Sequence, residues 1–93
     1  MDWTVRVLDS ADREIRRLPT AGLKEEALDC LEHLAVNPFP EGHLKLRSYP
    51  NRYRIRFGDE RYRIVYTVSR RDRIVTVFRV RPRSTAYRGM RNP

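Results

Sequence analysis

The sequence is poor in the residues that build several common kinds of functional site. It contains a single cysteine, so an internal disulfide framework is excluded and a reducing compartment is favoured. Its four glycines are scattered, which leaves no glycine-rich loop to cradle a nucleotide phosphate. No apolar run approaches the roughly 20 residues that a membrane span requires, and the N-terminus lacks the basic-then-apolar pattern of a secretory signal. These absences predict a soluble cytoplasmic protein without a membrane partner.

Metal-binding and nucleophilic sites are also poorly supported. The two histidines, His33 and His43, lie apart in the sequence and lack clustered carboxylates, so no metal site is expected. The serines lack the glycine-framed turn that is typical of a serine hydrolase. Cys30 lies among leucines, which favours a small buried hydrophobe over a reactive thiol. The sequence therefore predicts neither a metal nor any other cofactor.

Charge is what the sequence has in excess, and it is unevenly distributed. Residues 43–93 contain 15 Lys and Arg against 3 Asp and Glu, a net charge of +12. Residues 1–42 contain 5 against 9, a net charge of −4. In the basic half many arginines alternate with apolar residues, which favours a folded basic surface over a disordered tail. A polyanion such as RNA is the natural partner for such a surface.

The acidic half predicts one strand followed by two helices. Alternation over residues 3–8 favours an opening strand. Asp9 or Ser10 is expected to cap a short helix that ends at Pro19. Thr20 is expected to cap a longer helix, which a proline-containing segment then stops.

The basic half has an apolar period of two, which is typical of strands. Strands are predicted over residues 44–47, 53–57, 61–69 and 73–81. Pro82 is expected to break the pairing of the last strand, because proline has no N–H to donate. The order predicts an α+β fold over residues 1–93, a single domain. In it an N-terminal strand and a helical hairpin pack on one face of a largely antiparallel four- to five-stranded sheet.

The same alternation predicts which side chains share a face. Arg54 and Arg56 alternate with tyrosine, isoleucine and phenylalanine, so both arginines are expected on the side away from the helices. Arg63 has the matching parity in the next strand. Arg83 and Tyr87 follow the last strand and can fold back over the same surface. Taken singly, these arginines also fit a solvated sheet face, and the tyrosine a packing residue.

Four pieces of the chain, in this order, resemble the RelE/ParE superfamily of bacterial toxins. They are Lys45-Leu46-Arg47, Tyr53-Arg54-Ile55-Arg56, Tyr62-Arg63-Ile64-Val65-Tyr66, and Arg83 through Tyr87-Arg88. The length and the strand–helix–helix–sheet order also match, so the resemblance covers almost the whole chain. It implies a RelE-like fold and the toxin of a type II toxin–antitoxin system. For RelE-like members it implies cleavage of messenger RNA in the ribosomal A site by 2′-hydroxyl attack, without a metal.

The resemblance also assigns roles by position. Arg54 and Arg56 match two basic residues that bind RNA and help to organise the scissile phosphate. Arg63 matches an arginine thought to stabilise charge on that phosphate in the transition state. Arg83 matches a second functional arginine near the leaving 5′ oxygen. Tyr87 matches the tyrosine proposed to take the proton from the 2′-hydroxyl.

These roles make chemical sense for a cluster of cations. In-line attack concentrates negative charge on the phosphoryl oxygens, which arginine binds in a planar, bidentate way. An unperturbed tyrosine has a pKa near ~10, so Tyr87 needs neighbouring arginines to favour its phenolate. Arginine rarely gives up its proton, so Arg83 is assigned electrostatic stabilisation before general acid catalysis.

The residues predicted to bind RNA extend beyond the catalytic set. They are Arg54, Arg56, Lys45, Arg47 and Arg81, and the peripheral ones are expected to contribute less. Of these, Arg47 and Arg81 can equally be surface residues, as can Arg79.

Many family members read Gly-His-Arg just after the last strand, where this chain has Arg81-Pro82-Arg83. A histidine-based mechanism at that position is therefore excluded.

Two other functions remain open beside the ribonuclease. ParE-like members poison DNA gyrase and generally lack this arginine and tyrosine set. Its presence here favours the ribonuclease and leaves gyrase inhibition as the first alternative. The second is a catalytically inert module that binds RNA or the ribosome. The resemblance also implies a cognate antitoxin, with messenger RNA and the 70S ribosome as targets of the free toxin. DNA is expected to be contacted only indirectly, through the antitoxin.

Overall fold

The structure, a computed structural model, describes residues 2–90 of the chain. Its elements are β1 (Thr4–Val7), α1 (Asp9–Arg16), α2 (Ala21–Val36), β2 (Leu44–Lys45), β3 (Arg52–Phe57), β4 (Tyr62–Ser69) and β5 (Ile74–Pro82). The strands form one sheet in the order β1-β5-β4-β3-β2. Strand β1 runs parallel to β5, and the other neighbours are antiparallel. The predicted α+β fold is confirmed.

The core lies between the two helices and one side of the sheet. The strands contribute Tyr53, Ile55, Phe57, Ile64, Tyr66, Val68, Val75, Val77 and Val80, and the helices contribute Ala11, Ile15, Ala27 and Leu34. The hydroxyl of fully buried Tyr66 donates a hydrogen bond to the Pro38 carbonyl oxygen at 2.7 Å, which satisfies its polar atom. The apolar side chains predicted by the alternation therefore do face the helices. Between residues 2 and 90, no helix is long and apolar enough to cross a membrane.

The two helices begin in different ways. At the start of α2 the Thr20 hydroxyl accepts a hydrogen bond from the amide three residues on, at 3.1 Å, as the sequence predicts. The residue that precedes α1 is Leu8, which provides no side-chain cap within the described part of the chain. The prediction of a cap at Asp9 or Ser10 is therefore wrong. The Leu8 amide instead donates to the Val77 carbonyl at 3.0 Å, so the chain passes directly from the sheet into α1.

Two strand ends differ from the sequence prediction. Strand β2 has only two residues, although the next amide, that of Leu46, still donates to the Arg52 carbonyl at 2.8 Å. Pro82 does not break the pairing of β5, because the Arg83 amide donates to the Arg61 carbonyl at 2.8 Å. An antiparallel ladder draws its hydrogen bonds from alternate residues, so one missing N–H is tolerated when it points away from the neighbouring strand.

Candidate active site

The side of the sheet away from the helices carries arginines in register. Arg56 is paired with Arg63, and Arg63 with Arg81, so these arginines form one row across β3, β4 and β5. Directly paired residues place their side chains on the same face. Arg54 lies two residues before Arg56 on β3, in a neighbouring row about 7 Å away along the strand. The strands therefore bring four of the sequence-predicted site residues onto one surface.

Two of these arginines are buried. Arg54 and Arg63 are each only 7% exposed. The Nη1 group of Arg54 donates to the Gly42 carbonyl at 3.1 Å. The Nη1 group of Arg63 donates to the carbonyls of Glu60 and Tyr62, at 2.6 and 3.2 Å. Because a buried guanidinium is costly without hydrogen bonds, these carbonyls stabilise both side chains. The two arginines thereby also hold the adjoining loops in place.

The other two arginines of the surface are paired with carboxylates. Arg56 forms an ion pair with Glu60 across the β3–β4 turn. Nε of Arg81 lies 2.5 Å from Oε2 of Glu14 in α1. Oε1 of the same glutamate accepts the Val80 amide at 2.9 Å and so covers an edge of β5 that β1 leaves unpaired. The pair of Arg56 is exposed, and such pairs contribute at most about 1 kcal/mol, so a phosphate can replace its carboxylate.

Residues 83–90, here called the C-terminal segment, return over this arginine surface. Nη1 of Arg79 donates to the carbonyl oxygens of Ala86 and Arg88, at 3.1 and 2.7 Å. Ala86, which belongs to the segment, is fully buried. Tyr87 lies between the two carbonyls that Arg79 binds. The prediction that the chain folds back after the last strand is borne out by these contacts.

Tyr87 comes to lie beside Arg54. The pKa of the Arg54 guanidinium is lowered, first by burial and next by the positive charge of Arg56. Tyr87 opposes this shift, and Arg63 adds to it, so Arg56, Tyr87 and Arg63 are all close enough to act on Arg54. The Tyr87 side chain is 40% exposed, which leaves it within reach of a substrate. Such a cluster can bind a phosphodiester and stabilise the charge that develops on it.

Arg83 lies at the rim of the arginine surface. Its side chain is exposed and lines an open depression beside the β3–β4 turn. The other residues of the depression are Asp59, Glu60, Arg61, Pro82 and Ser84. Between residues 2 and 90 the Arg83 guanidinium takes part in no ion pair, which leaves its charge free for an anionic ligand.

Two predicted RNA-binding residues lie away from the cluster. Lys45 is paired with Tyr53, whose side chain faces the core, so Lys45 shares the helix side of the sheet. Its neighbour Leu44 is the β2 residue that shares the side of Arg54. Arg47 follows β2 in an exposed turn. The RNA contacts of Lys45 and Arg47 stay predictions, and neither residue lies within the arginine rows.

Sequence reasoning missed the residues that hold the site together. Glu60 follows Arg56 by four residues across a tight turn, a local spacing from which the ion pair could have been anticipated. Glu14 and Arg81 are 67 residues apart, and no local pattern connects them. Arg79 has the character of a surface residue in the sequence, yet the structure shows it tying down the C-terminal segment.

Cys30 lies outside this site. Burial raises the pKa of its half-buried thiol, and the nearby carboxylates of Glu26 and Asp29 raise it further. A raised pKa disfavours the nucleophilic thiolate, which agrees with the predicted role as a small hydrophobe. Within residues 2–90, no group of three or more His, Cys, Asp and Glu side chains is arranged to hold a metal ion.

The sequence of this chain matches a known protein family over most of its length. The model of the family described as the ParE toxin of type II toxin-antitoxin system, parDE, matches residues 3–87. The chain belongs to this toxin family. Among curated proteins, none matches the sequence of the toxin.

Solved structures of RelE toxins share the fold of this toxin. The isolated E. coli RelE toxin has a TM-score of 0.73 at 28% identity, over 86% of this chain and 83% of that chain. A chain of the intact E. coli RelBE toxin-antitoxin complex has a TM-score of 0.74 at 28% identity, over 86% and 95%. A chain of the archaeal RelE-RelB complex from Pyrococcus horikoshii OT3 has a TM-score of 0.75 at 25% identity, over 92% and 100%. The protein is therefore a type II toxin of the RelE/ParE superfamily.

Proposed function

We propose that this toxin is an endoribonuclease that cleaves messenger RNA in the A site of the 70S ribosome. The observation that carries the proposal is the return of Tyr87 beside Arg54, on a surface that also contains Arg56 and Arg63. A phenol among guanidinium groups combines a proton acceptor, in its phenolate form, with cations that bind a phosphodiester. The RelE toxins that share its fold supply the same expectation through the family resemblance.

In the proposed reaction the 2′-oxygen of a ribose attacks the adjacent phosphorus. The P–O2′ bond forms as the P–O5′ bond breaks, which leaves a 2′,3′-cyclic phosphate on one fragment and a 5′-hydroxyl on the other. Tyr87 accepts the proton of the 2′-hydroxyl, and water returns a proton to the leaving oxygen. Arg54 and Arg63 neutralise the charge on the non-bridging oxygens, while Arg83 stabilises the charge on the 5′ oxygen. These bond changes require no metal ion.

The remaining basic residues are proposed to bind the RNA backbone on either side of the scissile phosphate. Arg56 and Arg81 lie in the same row as Arg63 and exchange their carboxylate partners for phosphates when RNA binds. Such contacts supply affinity that falls as salt concentration rises, because bound counterions are released. The predicted peripheral contacts are those of Lys45 and Arg47.

A cognate antitoxin is the proposed protein partner. Two of the solved structures that share the fold are complexes of RelE with RelB. Residues 43–93 carry 15 basic and 3 acidic side chains, a net charge of +12, so an acidic antitoxin segment fits the arginine surface by charge. The toxin is proposed to contact DNA only through that antitoxin.

The family match supports a second candidate function. The matching family is named for ParE, and the resemblance implies that ParE-like members poison DNA gyrase. A gyrase inhibitor would use the basic surface for docking alone, as would an inert module that binds RNA or the ribosome. Both alternatives predict that Tyr87→Phe changes nothing, since no proton is transferred.

Cleavage mapping on programmed ribosomes tests the proposal. We expect the wild-type toxin to cut a short messenger within the A-site codon, and we expect the cuts to vanish for Arg83→Ala and Tyr87→Phe on the time scale of the wild-type reaction. The matched control is Arg13→Ala, which removes an exposed arginine of α1 outside the site and should cleave normally. An intact messenger together with inhibited gyrase supercoiling would overturn the ribonuclease in favour of the second candidate. An intact messenger on toxin-bound ribosomes would overturn it in favour of the inert module.

A further inference from the structure

The sheet and the loop between β2 and β3 bind the C-terminal segment at three of its carbonyl oxygens. Nη1 of Arg79 donates to the carbonyls of Ala86 and Arg88, at 3.1 and 2.7 Å. The Tyr49 hydroxyl donates to the Met90 carbonyl at 3.1 Å. Ala86 is fully buried, and Met90 is 9% exposed, so packing adds to these hydrogen bonds. These contacts hold the C-terminal segment in a defined position.

The two hydrogen bonds of Arg79 flank the proposed proton acceptor. They reach the peptide unit between Ala86 and Tyr87 and the peptide unit between Arg88 and Gly89, so one guanidinium nitrogen binds the backbone both before and after Tyr87. Nη1 carries two hydrogens, enough to donate to both of these carbonyls. The backbone bonds within the segment, from Arg88 to Thr85 and from Met90 to Tyr87, span only three residues each, at 3.2 and 3.4 Å. Without Arg79, the segment would keep only these turns, the Tyr49 bond to Met90 and the packing of Ala86 and Met90.

Arg79 is itself held in place for this task. It stands opposite Val65, which is fully buried, so its stem rises from the middle of the sheet. The side chain of Arg52 lies nearby, between the rings of Tyr49 and Phe78, with its guanidinium carbon 4.9 and 5.1 Å from the two ring centres. The sheet thus presents a packed platform under the C-terminal segment, on which the position of a side chain is well determined.

We propose that Arg79 is a positioning residue that holds Tyr87 at the active site and does not itself bind RNA phosphate. The inference rests on the proposed ribonuclease function. It reverses the sequence-based expectation that loss of Arg79 matters little. A reacting group displaced by about 1 Å can cost on the order of 100-fold in rate, which is the scale of effect that a lost clamp should produce.

Kinetics on programmed ribosomes separate positioning from phosphate binding. We expect Arg79→Ala to lower kcat on the order of 10- to 100-fold with little change in KM, because substrate affinity resides in other arginines. In the double variant Arg79→Ala/Tyr87→Phe the two losses should not multiply, because the clamp acts only through Tyr87. A raised KM with unchanged kcat, or fully multiplicative losses, would overturn the proposal. Arg13→Ala is the matched loss of an arginine outside the site.

Hydrogen exchange tests the clamp without any activity. In Arg79→Ala the amides of residues 84–90 should exchange faster, on the order of 10-fold, while those of β4 keep their wild-type rates. Unchanged exchange in the C-terminal segment would overturn the proposal. If Arg79→Ala does not fold, Tyr49→Phe removes a single tie of the same segment and should give a smaller change in the same direction.

A lysine variant distinguishes a clamp from a bare positive charge. Arg79→Lys keeps the charge but replaces the planar fork by a shorter ammonium, so we expect partial recovery of both kcat and protection of residues 84–90. Full activity with an unprotected segment would show that charge alone suffices and would overturn the proposal. If the toxin is not a ribonuclease, the wild type leaves the messenger intact. Hydrogen exchange then still shows whether Arg79 holds the C-terminal segment.

Discussion

The two sides of the same sheet bury different kinds of side chain. On the helix side, Ile64 and its apolar neighbours are covered by two helices and form the main core. On the other side, Val65 is fully buried as well, together with Ala86 of the C-terminal segment that returns over this surface. Beside them Arg54 and Arg63 are buried with their charges, held by backbone carbonyls. One side supplies stability, and the other uses that stability to hold cations together.

The comparison shows why the arginine surface can exist in so small a protein. Like charges repel one another, and burial adds a desolvation cost, as the lowered pKa of Arg54 shows. The apolar side offsets this cost, because each fully buried aliphatic side chain contributes about 1.5–3 kcal/mol. The two sides should therefore respond differently to substitution: the helix side in stability, the arginine side in activity.

The largest effect on stability is expected from the helix side. Ile64→Ala removes a fully buried side chain and should lower the free energy of unfolding by about 2–5 kcal/mol. Arg56→Ala removes an exposed ion pair and should cost less than about 1 kcal/mol. Urea unfolding of both variants measures the difference. Equal losses would contradict the division between the two sides.

The largest effect on activity is expected from the arginine side. Arg83→Ala should lower kcat/KM by about 10²- to 10³-fold, or on the order of 3 kcal/mol of transition-state stabilisation. Because Arg83 is exposed, its loss should change the free energy of unfolding by less than about 0.5 kcal/mol.

Two further variants sharpen that prediction. Arg63→Ala should lose both activity and stability, because its guanidinium also holds the carbonyls of Glu60 and Tyr62. Arg47→Ala, in an exposed turn outside the rows, should have a much smaller effect on kcat/KM. Equal losses for Arg47→Ala and Arg83→Ala would indicate simple charge-driven binding and would contradict the active-site assignment.

A smaller effect on stability is expected from the helix side at alkaline pH. Burial raises the pKa of Tyr66 above the value near ~10 of a free tyrosine. Its contribution to stability should thus be complete below about pH 10 and decline above it, because ionisation then favours the unfolded chain. Tyr66→Phe should cost about 1 kcal/mol at neutral pH, through the lost bond to Pro38, and show a shallower alkaline decline. Parallel alkaline slopes in urea unfolding would contradict the role of burial.

The smallest effect is expected at Cys30. Because burial and two carboxylates raise its pKa, its alkylation by iodoacetamide at pH 8 should be slower than that of free cysteine and should accelerate in urea. Cys30→Ala should retain messenger cleavage. Rapid alkylation of the folded toxin, or loss of cleavage in this variant, would place the thiol in the function.

The sequence pattern predicted those parts of the fold that depend on residues near one another in the chain. Alternation along β3 correctly placed Arg54 and Arg56 opposite the core, because successive side chains of a strand point to opposite faces. The Thr20 cap follows from the preference of hydroxyl side chains for helix starts. The cap of α1 failed because the Leu8 amide is bound by the sheet, a contact with β5 that no local signal announces.

The parts of the site that sequence could not predict depend on distant contacts. Lys45 falls on the helix side because the loop before Tyr53 sets the register of a two-residue strand. The bond of Glu14 to Arg81 joins residues 67 apart, and the hold of Arg79 on the C-terminal segment requires the chain to turn back over the sheet. Composition can suggest a basic surface, but only the assembled sheet shows which arginines are free and which are bound.

The central claim is that the arginine surface promotes cleavage of RNA by attack of the RNA's own 2′-hydroxyl. The most direct measurement compares two ribosome-bound messengers that differ only by a single 2′-deoxy nucleotide on the 5′ side of the mapped cut. The account predicts that the toxin cuts the all-ribose messenger to a 2′,3′-cyclic phosphate and leaves the substituted messenger intact. Cleavage of the deoxy-substituted messenger at the same position would contradict it, as would a free 3′-hydroxyl end on the all-ribose product.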